Sequence, residues 1–345
     1  MFPQKSLYLV LSSFITTSLC VPSHGSRWTT LANITVAPRQ EHTTVFLPPS
    51  TIAILGGVVP SSSFPPPTTD LVQFYSIESN TWRTVAPLPI PLNHVNVAVS
   101  DGKIYVLGGL AAATNETPPA WRAIPDSWVY DPRTNIWTSI EPAPVGQARG
   151  SAAVGVYKGK IYLAGGMEVL VIGENGLQET VSIVSIFDTI TGKWLTVPEG
   201  ANHIPEARDH SGGAVVNGKF YVLGGRDHGQ FNVKDTVFIL DLSRLEDGWK
   251  TSSARLPTPR GGLAAGIIGK KVYTFGGEGN REVESGVFNE TEVYDTAKDK
   301  WARLGPMEIP RHGSFAVGVG KSVYIPGGGV RLGGAPVVNF NAFTP

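Results

Sequence analysis

An eight-residue segment ending in two glycines recurs along the chain and constrains the fold more than any other feature. It reads GKIYVLGG at 102–109, GKIYLAGG at 159–166 and GKFYVLGG at 218–225, and altered forms occupy 50–57, 270–277 and 321–328. The glycine pairs therefore begin at residues 56, 108, 165, 224, 276 and 327, a spacing of 51 to 59 residues. A period of this length predicts a repeat architecture in which each unit packs against its neighbours.

A tryptophan follows each of the first five glycine pairs by 25 to 29 residues, and four of these have an aromatic residue seven positions earlier. The tryptophans are Trp82, Trp137, Trp194, Trp249 and Trp301, and the earlier aromatics are Tyr75, Tyr130, Phe187 and Tyr294. This pattern resembles the kelch repeat, which implies a β-propeller with one four-stranded blade per repeat around a central channel. Short apolar runs between Gly, Asn and Asp turns agree with antiparallel strands. We therefore predict an all-β fold, a six-bladed kelch-type β-propeller.

The two ends of the chain are predicted to share the sixth blade. Six glycine pairs but five following tryptophans leave one blade without its outer strand, and the C-terminal segment VVNFNAFTP is too short to supply it. The segment RWTTLANITV near the N-terminus contains Trp28, which can act as the sixth tryptophan. We expect this N-terminal strand to complete the C-terminal blade, so that residues 26–345 form one propeller domain.

Residues 1–20 have the features of a signal peptide. Lys5 precedes an apolar stretch, LYLVLSSFITTSL, that is too short and too polar to span a bilayer. Small residues favour cleavage after Cys20, or as late as Gly25. Because Cys20 is the single cysteine, the mature chain is expected to have no disulfide, thiol nucleophile or thiolate ligand.

Charge and sequons limit the expected partners. Lys plus Arg and Asp plus Glu both number 28, so neither a nucleic acid nor an anionic membrane is an expected partner. Sequons at Asn33, Asn115 and Asn289 suit glycosylation in a secreted protein or in the secretory lumen. We expect a monomer that takes a small molecule at the mouth of its channel.

The binding site is expected on the face that carries the longest loops. In a four-stranded antiparallel blade, the loop between the second and third strands lies on the same face as the loop that leads to the next blade. The former loops are long and dissimilar, and binding residues are common on such loops. They carry apolar side chains at Val58, Phe64, Leu110, Trp121, Met167, Leu170, Phe231 and Phe288. These side chains predict a largely apolar substrate pocket in which Trp121, Phe64, Phe231 and Phe288 contact substrate; alternatively, the loops pack on their own side chains.

The loops between blades carry repeated arginines. Counting back sixteen residues from each glycine pair gives Gln40, Leu92, Arg149, Arg208, Arg260 and Arg311. The arginines either donate hydrogen bonds to backbone carbonyls and brace the blades, or form a ring of guanidinium groups that binds an anionic oxygen of the substrate. Nearby Glu206 and Asp209 are expected to pair with arginine.

Histidine recurs two positions later. Counting back fourteen residues gives His42, His94, Ser151, His210, Gly262 and Gly313. Together with Arg208, the three histidines are candidate catalytic residues; alternatively they satisfy backbone groups. A three-histidine metal site is compatible with the composition, but blades 1, 2 and 4 are not consecutive, so we expect no metal and no other cofactor.

In size, signal peptide and layout the chain resembles secreted fungal kelch proteins, which include hetero-Diels–Alderases of tropolone–sesquiterpenoid biosynthesis. The resemblance implies a cofactor-free cycloaddition of a tropolone quinone methide with a sesquiterpene olefin such as humulene. Such a reaction needs an apolar cavity that orients two partners and a donor that polarises the oxygenated diene. Copper chemistry of the galactose-oxidase kind requires a tyrosine–cysteine crosslink, which a mature chain without cysteine cannot make. Two alternatives are a non-catalytic propeller that binds a glycan or a protein, and an isomerase similar to sialic-acid epimerases.

Overall fold

The computed structural model describes residues 25–62, 64–113, 115–173 and 176–345. Within them the chain forms six four-stranded antiparallel blades arranged as a β-propeller, as predicted. The predicted signal peptide and its Cys20 lie outside the described residues. No helix in the described ranges has the length and apolar character needed to cross a membrane.

Each blade is an antiparallel sheet, and its four strands are given below in order from the innermost, next to the axis, to the outermost. Blades 1 to 3 consist of β2 (Thr43–Leu47), β3 (Thr51–Leu55), β4 (Val72–Ser76) and β5 (Thr81–Thr84); β6 (Val97–Ser100), β7 (Lys103–Ala113), β8 (Ala120–Asp131) and β9 (Ile136–Ile140); and β10 (Ala153–Tyr157), β11 (Lys160–Ala164), β14 (Val184–Asp188) and β15 (Lys193–Leu195). Blades 4 to 6 consist of β16 (Gly212–Val216), β17 (Lys219–Leu223), β18 (Val237–Asp241) and β19 (Trp249–Thr251); β20 (Ala264–Ile268), β21 (Lys271–Phe275), β22 (Thr291–Asp295) and β23 (Lys300–Arg303); and β24 (Val317–Val319), β25 (Ser322–Pro326), β28 (Phe340–Thr344) and β1 (Arg27–Thr30). A short 3₁₀ helix spans Leu245–Asp247.

The middle strands are apolar on both faces because each blade is packed between two others. Successive side chains of a strand point to opposite sides of the sheet. In β17, Phe220 belongs to the core between blades 3 and 4, whereas Tyr221 belongs to the core between blades 4 and 5. Each of the six contacts between adjacent blades has such an apolar cluster. The near-continuous apolar runs of the repeat follow from this double packing.

The glycine pairs turn the chain at the end of the second strand of each blade. Gly57 has a φ of 104°, and a β-carbon on it would lie 2.7 Å from the carbonyl oxygen of Gln40. Both the backbone conformation and the close approach therefore require glycine here.

The N-terminal strand closes the ring, which confirms the prediction. Strand β1 pairs antiparallel with β28, with Trp28 opposite Phe343. The Trp28 indole donates to the carbonyl of Pro306 (3.1 Å), which precedes the innermost strand of blade 6. The same bond to the equivalent carbonyl is made by Trp82, Trp137, Trp194 and Trp249. The non-covalent closure thus repeats the contact that joins the other blades.

Two hairpins extend the loop face beyond the predicted blades. Strands β12 (Met167–Val171) and β13 (Gln178–Thr180) form one, and β12 also pairs with β8 of the preceding blade. Strands β26 (Gly329–Arg331) and β27 (Gly334–Pro336) form the other. The first of these segments was expected as a long loop, and both have regular hairpin structure.

Candidate functional site

A closed ring of hydrogen bonds surrounds the axis on the loop face. It joins six equivalent residues, one per blade, that lie just before the innermost strands: Glu41, His94, Ser151, His210, Gly262 and Gly313. All six have positive φ values, between 50° and 64°. Each backbone N–H donates to the preceding blade at 2.7 to 3.1 Å, five to a carbonyl oxygen and that of His210 to the Ser151 hydroxyl. The ring therefore holds its side chains at one narrow point on the axis.

Three side chains of the ring converge. The Nε2 atoms of His94 and His210 are 2.9 Å apart, and the Glu41 Oε2 atom lies 3.2 Å from the first and 3.7 Å from the second. All three residues are buried. Glu41 was not among the predicted site residues, and histidines from the non-consecutive blades 1, 2 and 4 were not expected to converge. His94 and His210 nevertheless meet, because the innermost strands of all blades lie around the axis.

Each histidine is oriented by the residue before it. His94 Nδ1 lies 2.5 Å from Asn93 Oδ1, and His210 Nδ1 lies 2.5 Å from Asp209 Oδ1. An N–H donated from Nδ1 leaves Nε2 as the nitrogen with a lone pair. Both Nε2 atoms then face the axis as acceptors or ligands.

A guanidinium and two more ionisable groups complete the cluster. Arg226 directly follows the fourth glycine pair; its Nη2 lies 3.0 Å from His210 Nε2 and its Nε 3.0 Å from Asp209. Its Nη1 pairs with Glu278, the residue that follows the fifth glycine pair. His312 Nδ1 lies 3.2 Å from Glu278 and 3.5 Å from Glu41. The expected pairing of Asp209 with an arginine is present, and Glu206 pairs with Arg208.

Burial and mutual pairing shift the pKa values of these groups in opposite directions. Burial lowers the pKa of His94 to about 3, so its imidazole is neutral at neutral pH. Burial would also lower the pKa of His312, but the carboxylates of Glu278 and Glu41 raise it to about 9. Burial opposes ionisation of Glu41, yet His94, His312 and His210 hold its pKa far below its usual range. The cluster therefore contains fixed charges of both signs away from water.

An apolar wall adjoins the charged cluster. Val58, Leu110 and Met167 occupy, in blades 1 to 3, the position that follows the glycine pair, and Trp121 packs with them. The Trp121 ring centroid is 5.8 Å from that of His94. The position after the glycine pair is thus apolar in blades 1 to 3 and charged in blades 4 and 5, so one side of the axial site is apolar and the other carries Arg226 and Glu278.

The hairpin β26–β27 covers the charged side. The Gly333 N–H donates to Glu278 Oε2 (2.8 Å), and Gln40 Nε2 donates to the Gly333 carbonyl (3.1 Å). His312 Nε2 lies 2.7 Å from the Arg331 carbonyl. Below the ring, toward the opposite face, a channel cavity of about 230 Å³ is lined by innermost strands. The charged cluster lies between this channel and the loops.

His42, the third histidine predicted as a candidate catalytic residue, is not part of the ring. It is fully buried one residue further along the chain, and Glu41 takes the ring position. The displacement arises because the turn between β2 and β3 has three residues, 48–50, where the turn of blade 2 has two, 101–102. Counting back fourteen residues from the glycine pair of blade 1 therefore reaches His42, one residue after the ring position. The same correction replaces Gln40 by Arg39 as the first repeat arginine.

The repeat arginines that were candidates for substrate binding or catalysis make contacts within the scaffold of the blades. Arg149, Arg208, Arg260 and Arg311 are buried, and in the described ranges their hydrogen bonds do not reach Glu41, His94 or His210. Arg149 donates four hydrogen bonds, all to backbone carbonyls. Arg260 pairs with buried Glu292 at 2.6 Å. These contacts support the alternative in which the repeat arginines brace the blades.

The predicted aromatic contacts divide into two groups. Trp121 belongs to the apolar wall, and Phe288 is buried. Phe64 and Phe231 are 65% and 43% exposed, and Phe231 stacks under the Arg281 guanidinium at 4.3 Å. Of the four, only Trp121 has a ring contact with the His94–His210 pair in the described ranges.

Comparison with known proteins agrees with the repeat. The KLHDC2/KLHL20/DRC7 Kelch-repeats domain matches residues 169–329, and the Kelch motif matches residues 91–144. The Kelch-like protein terF of Aspergillus terreus is 41% identical over 323 residues, covering 92% of this chain and 68% of that protein. The Kelch repeat and BTB domain-containing protein 12 of Danio rerio is 31% identical over 52% of this chain and 29% of its own length. Alpha-scruin of Limulus polyphemus is 27% identical over 60% of this chain and 21% of its own length. With its six-bladed propeller and its likeness to a fungal kelch protein, the chain belongs to the kelch-repeat family.

Proposed function

We propose that this kelch propeller is a hetero-Diels–Alderase that joins a tropolone quinone methide to a cyclic sesquiterpene olefin such as humulene. The observation that carries the proposal is the axial site, where the buried group of His94, His210 and Arg226 adjoins the wall formed around Trp121. An enzyme for this cycloaddition must hold an oxygenated, polar diene beside an apolar olefin. The two halves of the site suit these two partners.

The apolar wall supports the orienting part of the reaction. Val58, Leu110, Trp121 and Met167 are buried and pack together, so they give the site an apolar side in which the Trp121 indole N–H is the polar group. Holding two reactants in contact and in the orientation needed for reaction can lower the barrier of a bimolecular step by about 7–11 kcal/mol. Stereochemistry then depends on which face of the olefin lies on the wall.

The charged half supports polarisation of the diene. Arg226 is held by Asp209 and Glu278, so its Nη2 is a fixed donor directed at the axis. A fixed donor aimed at the tropolone oxygen stabilises charge that develops there during bond formation. His210, with Nδ1 on Asp209, can carry the proton that leaves with water when a hydroxymethyl tropolone forms the quinone methide. The cycloaddition that follows exchanges no proton.

The experiment mixes a hydroxymethyl tropolone and humulene with the mature protein and follows the cycloadduct and its stereochemistry against the spontaneous reaction. The proposal expects faster formation of one stereoisomer, and loss of that gain in Arg226→Gln and His210→Gln. His228→Gln is a matched control, because exposed His228 has the same contact with a preceding aspartate, Asp227, at 2.5 Å. A product rate and isomer ratio equal to background would contradict the proposal, and saturable binding without turnover would favour a binding module.

We also propose that the protein acts in the secretory lumen or outside the cell. The three sequon asparagines, Asn33, Asn115 and Asn289, are exposed, which supports access by the glycosylation machinery. Mass spectrometry of the protein from a fungal host tests this, with N-terminal sequencing to locate the cleavage expected between residues 20 and 25. Intracellular protein that keeps residues 1–20 and carries no glycan would contradict it.

A further inference from the structure

We propose that Glu41, His94 and His210 bind a divalent metal ion, with Zn²⁺ the simplest occupant, on the axis of the propeller. The three ligand atoms are separated by 2.9, 3.2 and 3.7 Å. Two ligands about 2.0–2.1 Å from a tetrahedral zinc ion lie about 3.3 Å apart, a value within this range. Two histidines and a carboxylate are also a ligand set found in catalytic zinc sites. The three ligand atoms correspond to three of the four corners of a tetrahedral zinc site.

The tautomers of the histidines favour a cation over a hydrogen bond at this point. Because each Nδ1 is directed at an acceptor oxygen, of Asn93 or of Asp209, each Nε2 presents a lone pair. Two nitrogen lone pairs at 2.9 Å with a carboxylate oxygen beside them repel one another unless a proton or a metal ion lies between them. Orientation of metal-binding histidines through the other ring nitrogen is the usual arrangement.

The formal charges around the three ligands also suit a cation. Glu41, Asp209 and Glu278 are three buried carboxylates, and in the described ranges the cationic groups paired with them from outside the ligand set are Arg226 and His312. Buried charges are stable when they are paired or coordinate a metal. A dication bound by Glu41 offsets the one carboxylate that exceeds these two cations.

Arg226 determines what else the metal can bind. Its Nη2 lies 3.0 Å from His210 Nε2 and competes with a metal for the same lone pair. Asp209 and Glu278 retain the guanidinium through its Nε and Nη1, so Nη2 is released when a metal takes His210. A released donor beside the fourth coordination position favours an anionic oxygen there, from an enolate, a tropolonate or a hydroxide.

This site does not depend on the proposed cycloaddition, but it uses the same atom, His210 Nε2, as the proposed proton transfer, so a bound metal leaves that step to another group. It also departs from the sequence-based expectation of a metal-free protein. That expectation considered His42, which lies outside the ring, instead of Glu41. Non-consecutive blades do not prevent ligation, because the ring brings blades 1, 2 and 4 together.

The test uses the mature full-length chain after removal of metal by chelator. It is titrated with Co²⁺, whose visible spectrum reports tetrahedral nitrogen and oxygen ligands, and with Zn²⁺ in a calorimeter. We expect one equivalent to bind, and the affinity to fall at least 100-fold in His94→Gln and in His210→Gln. Matched controls are His203→Gln and His228→Gln, exposed histidines with the same neighbouring-residue contacts, to Asn202 and Asp227. The controls should bind as the parent does.

Asp209→Asn is a milder variant that keeps a side-chain oxygen next to His210. Changes at such supporting residues typically weaken metal binding by 10–100-fold, and circular dichroism verifies that each variant is folded. No stoichiometric Co²⁺ or Zn²⁺ binding by the folded parent would overturn the proposal, as would equal losses in the control variants. Cycloadduct formed above background by protein that binds no metal contradicts only the metal site. A metal-binding protein that forms no cycloadduct contradicts only the proposed function.

Discussion

Replacing Trp28 with alanine tests how much the non-covalent closure contributes to stability. The half-buried Trp28 ring packs against Phe343 and Phe275, with ring centroids 5.0 and 5.7 Å away, and its indole donates to Pro306. Truncating a fully buried tryptophan costs about 3–5 kcal/mol. Half-burial reduces this to about 2 kcal/mol, and the hydrogen bond adds about 1 kcal/mol. We therefore expect a loss of about 3 kcal/mol, or about 4–5 °C in Tm for a cooperative unit of this size.

Trp137→Ala is the matched control within the ring. Trp137 is also half-buried, packs on Tyr130 at 5.0 Å and donates to the Ala86 carbonyl at 3.1 Å. Because the closure repeats the ordinary contact between blades, equilibrium urea unfolding should give the two variants equal losses to within about 1 kcal/mol. Deleting residues 26–36 should cost far more, since it also removes the pairing of β1 with β28. A truncated protein that melts at the parent temperature, or a neutral Trp28→Ala beside a costly Trp137→Ala, would refute this reasoning.

Three further changes have defined outcomes. His94→Gln and His210→Gln should leave the melting temperature within a few degrees of the parent and lower turnover tenfold or more, about 1.4 kcal/mol, in the cycloadduct assay. Arg149→Met should lower stability in urea by about 3 kcal/mol, because four backbone carbonyls lose a charged donor. Burial, followed by Arg39, lowers the pKa of His42 to about 3, below the unfolded value of 6.5, so stability should fall as the pH drops from 6.5 toward 3, by about 2 kcal/mol at pH 5. A urea midpoint that falls equally with acid in the parent and in His42→Leu would contradict that assignment.

The repeat made the fold predictable because its signals are local. A glycine pair that needs positive φ recurs in every blade, and a tryptophan that donates to the segment leading into its own blade recurs in five of the six. The register of the site was less predictable, since one additional residue in the turn at 48–50 exchanged Glu41 for His42. Nothing in the period of the glycine pairs reports the length of that turn.

The charged cluster was harder to predict because its contacts cross blades. Arg226 and Glu278 occupy the same backbone position as Val58 in blade 1, directly after a glycine pair. A departure from an apolar residue at this position is the one sequence signal that could have identified them. Their pairing with each other and with Asp209 depends on the distance between blades at the axis, which no spacing along the chain reports.

The hydrogen-bonded ring separates the axial side chains of this propeller from the loops that surround them. Since each of the six ring residues is held by its neighbours' main chains, or at His210 by the Ser151 hydroxyl, the loops can change length and sequence without moving the axial side chains. Of the six ring positions, glycine occupies two and serine one, and the Ser151 hydroxyl and the close approach of Glu41 to Gly313 fix two of these three. At Gly262 a β-carbon would meet contacts of 3.4 to 3.6 Å, so introducing histidine or glutamate there would install a new functional group at a known place. A family built on this scaffold can vary its reactive groups and its specificity independently.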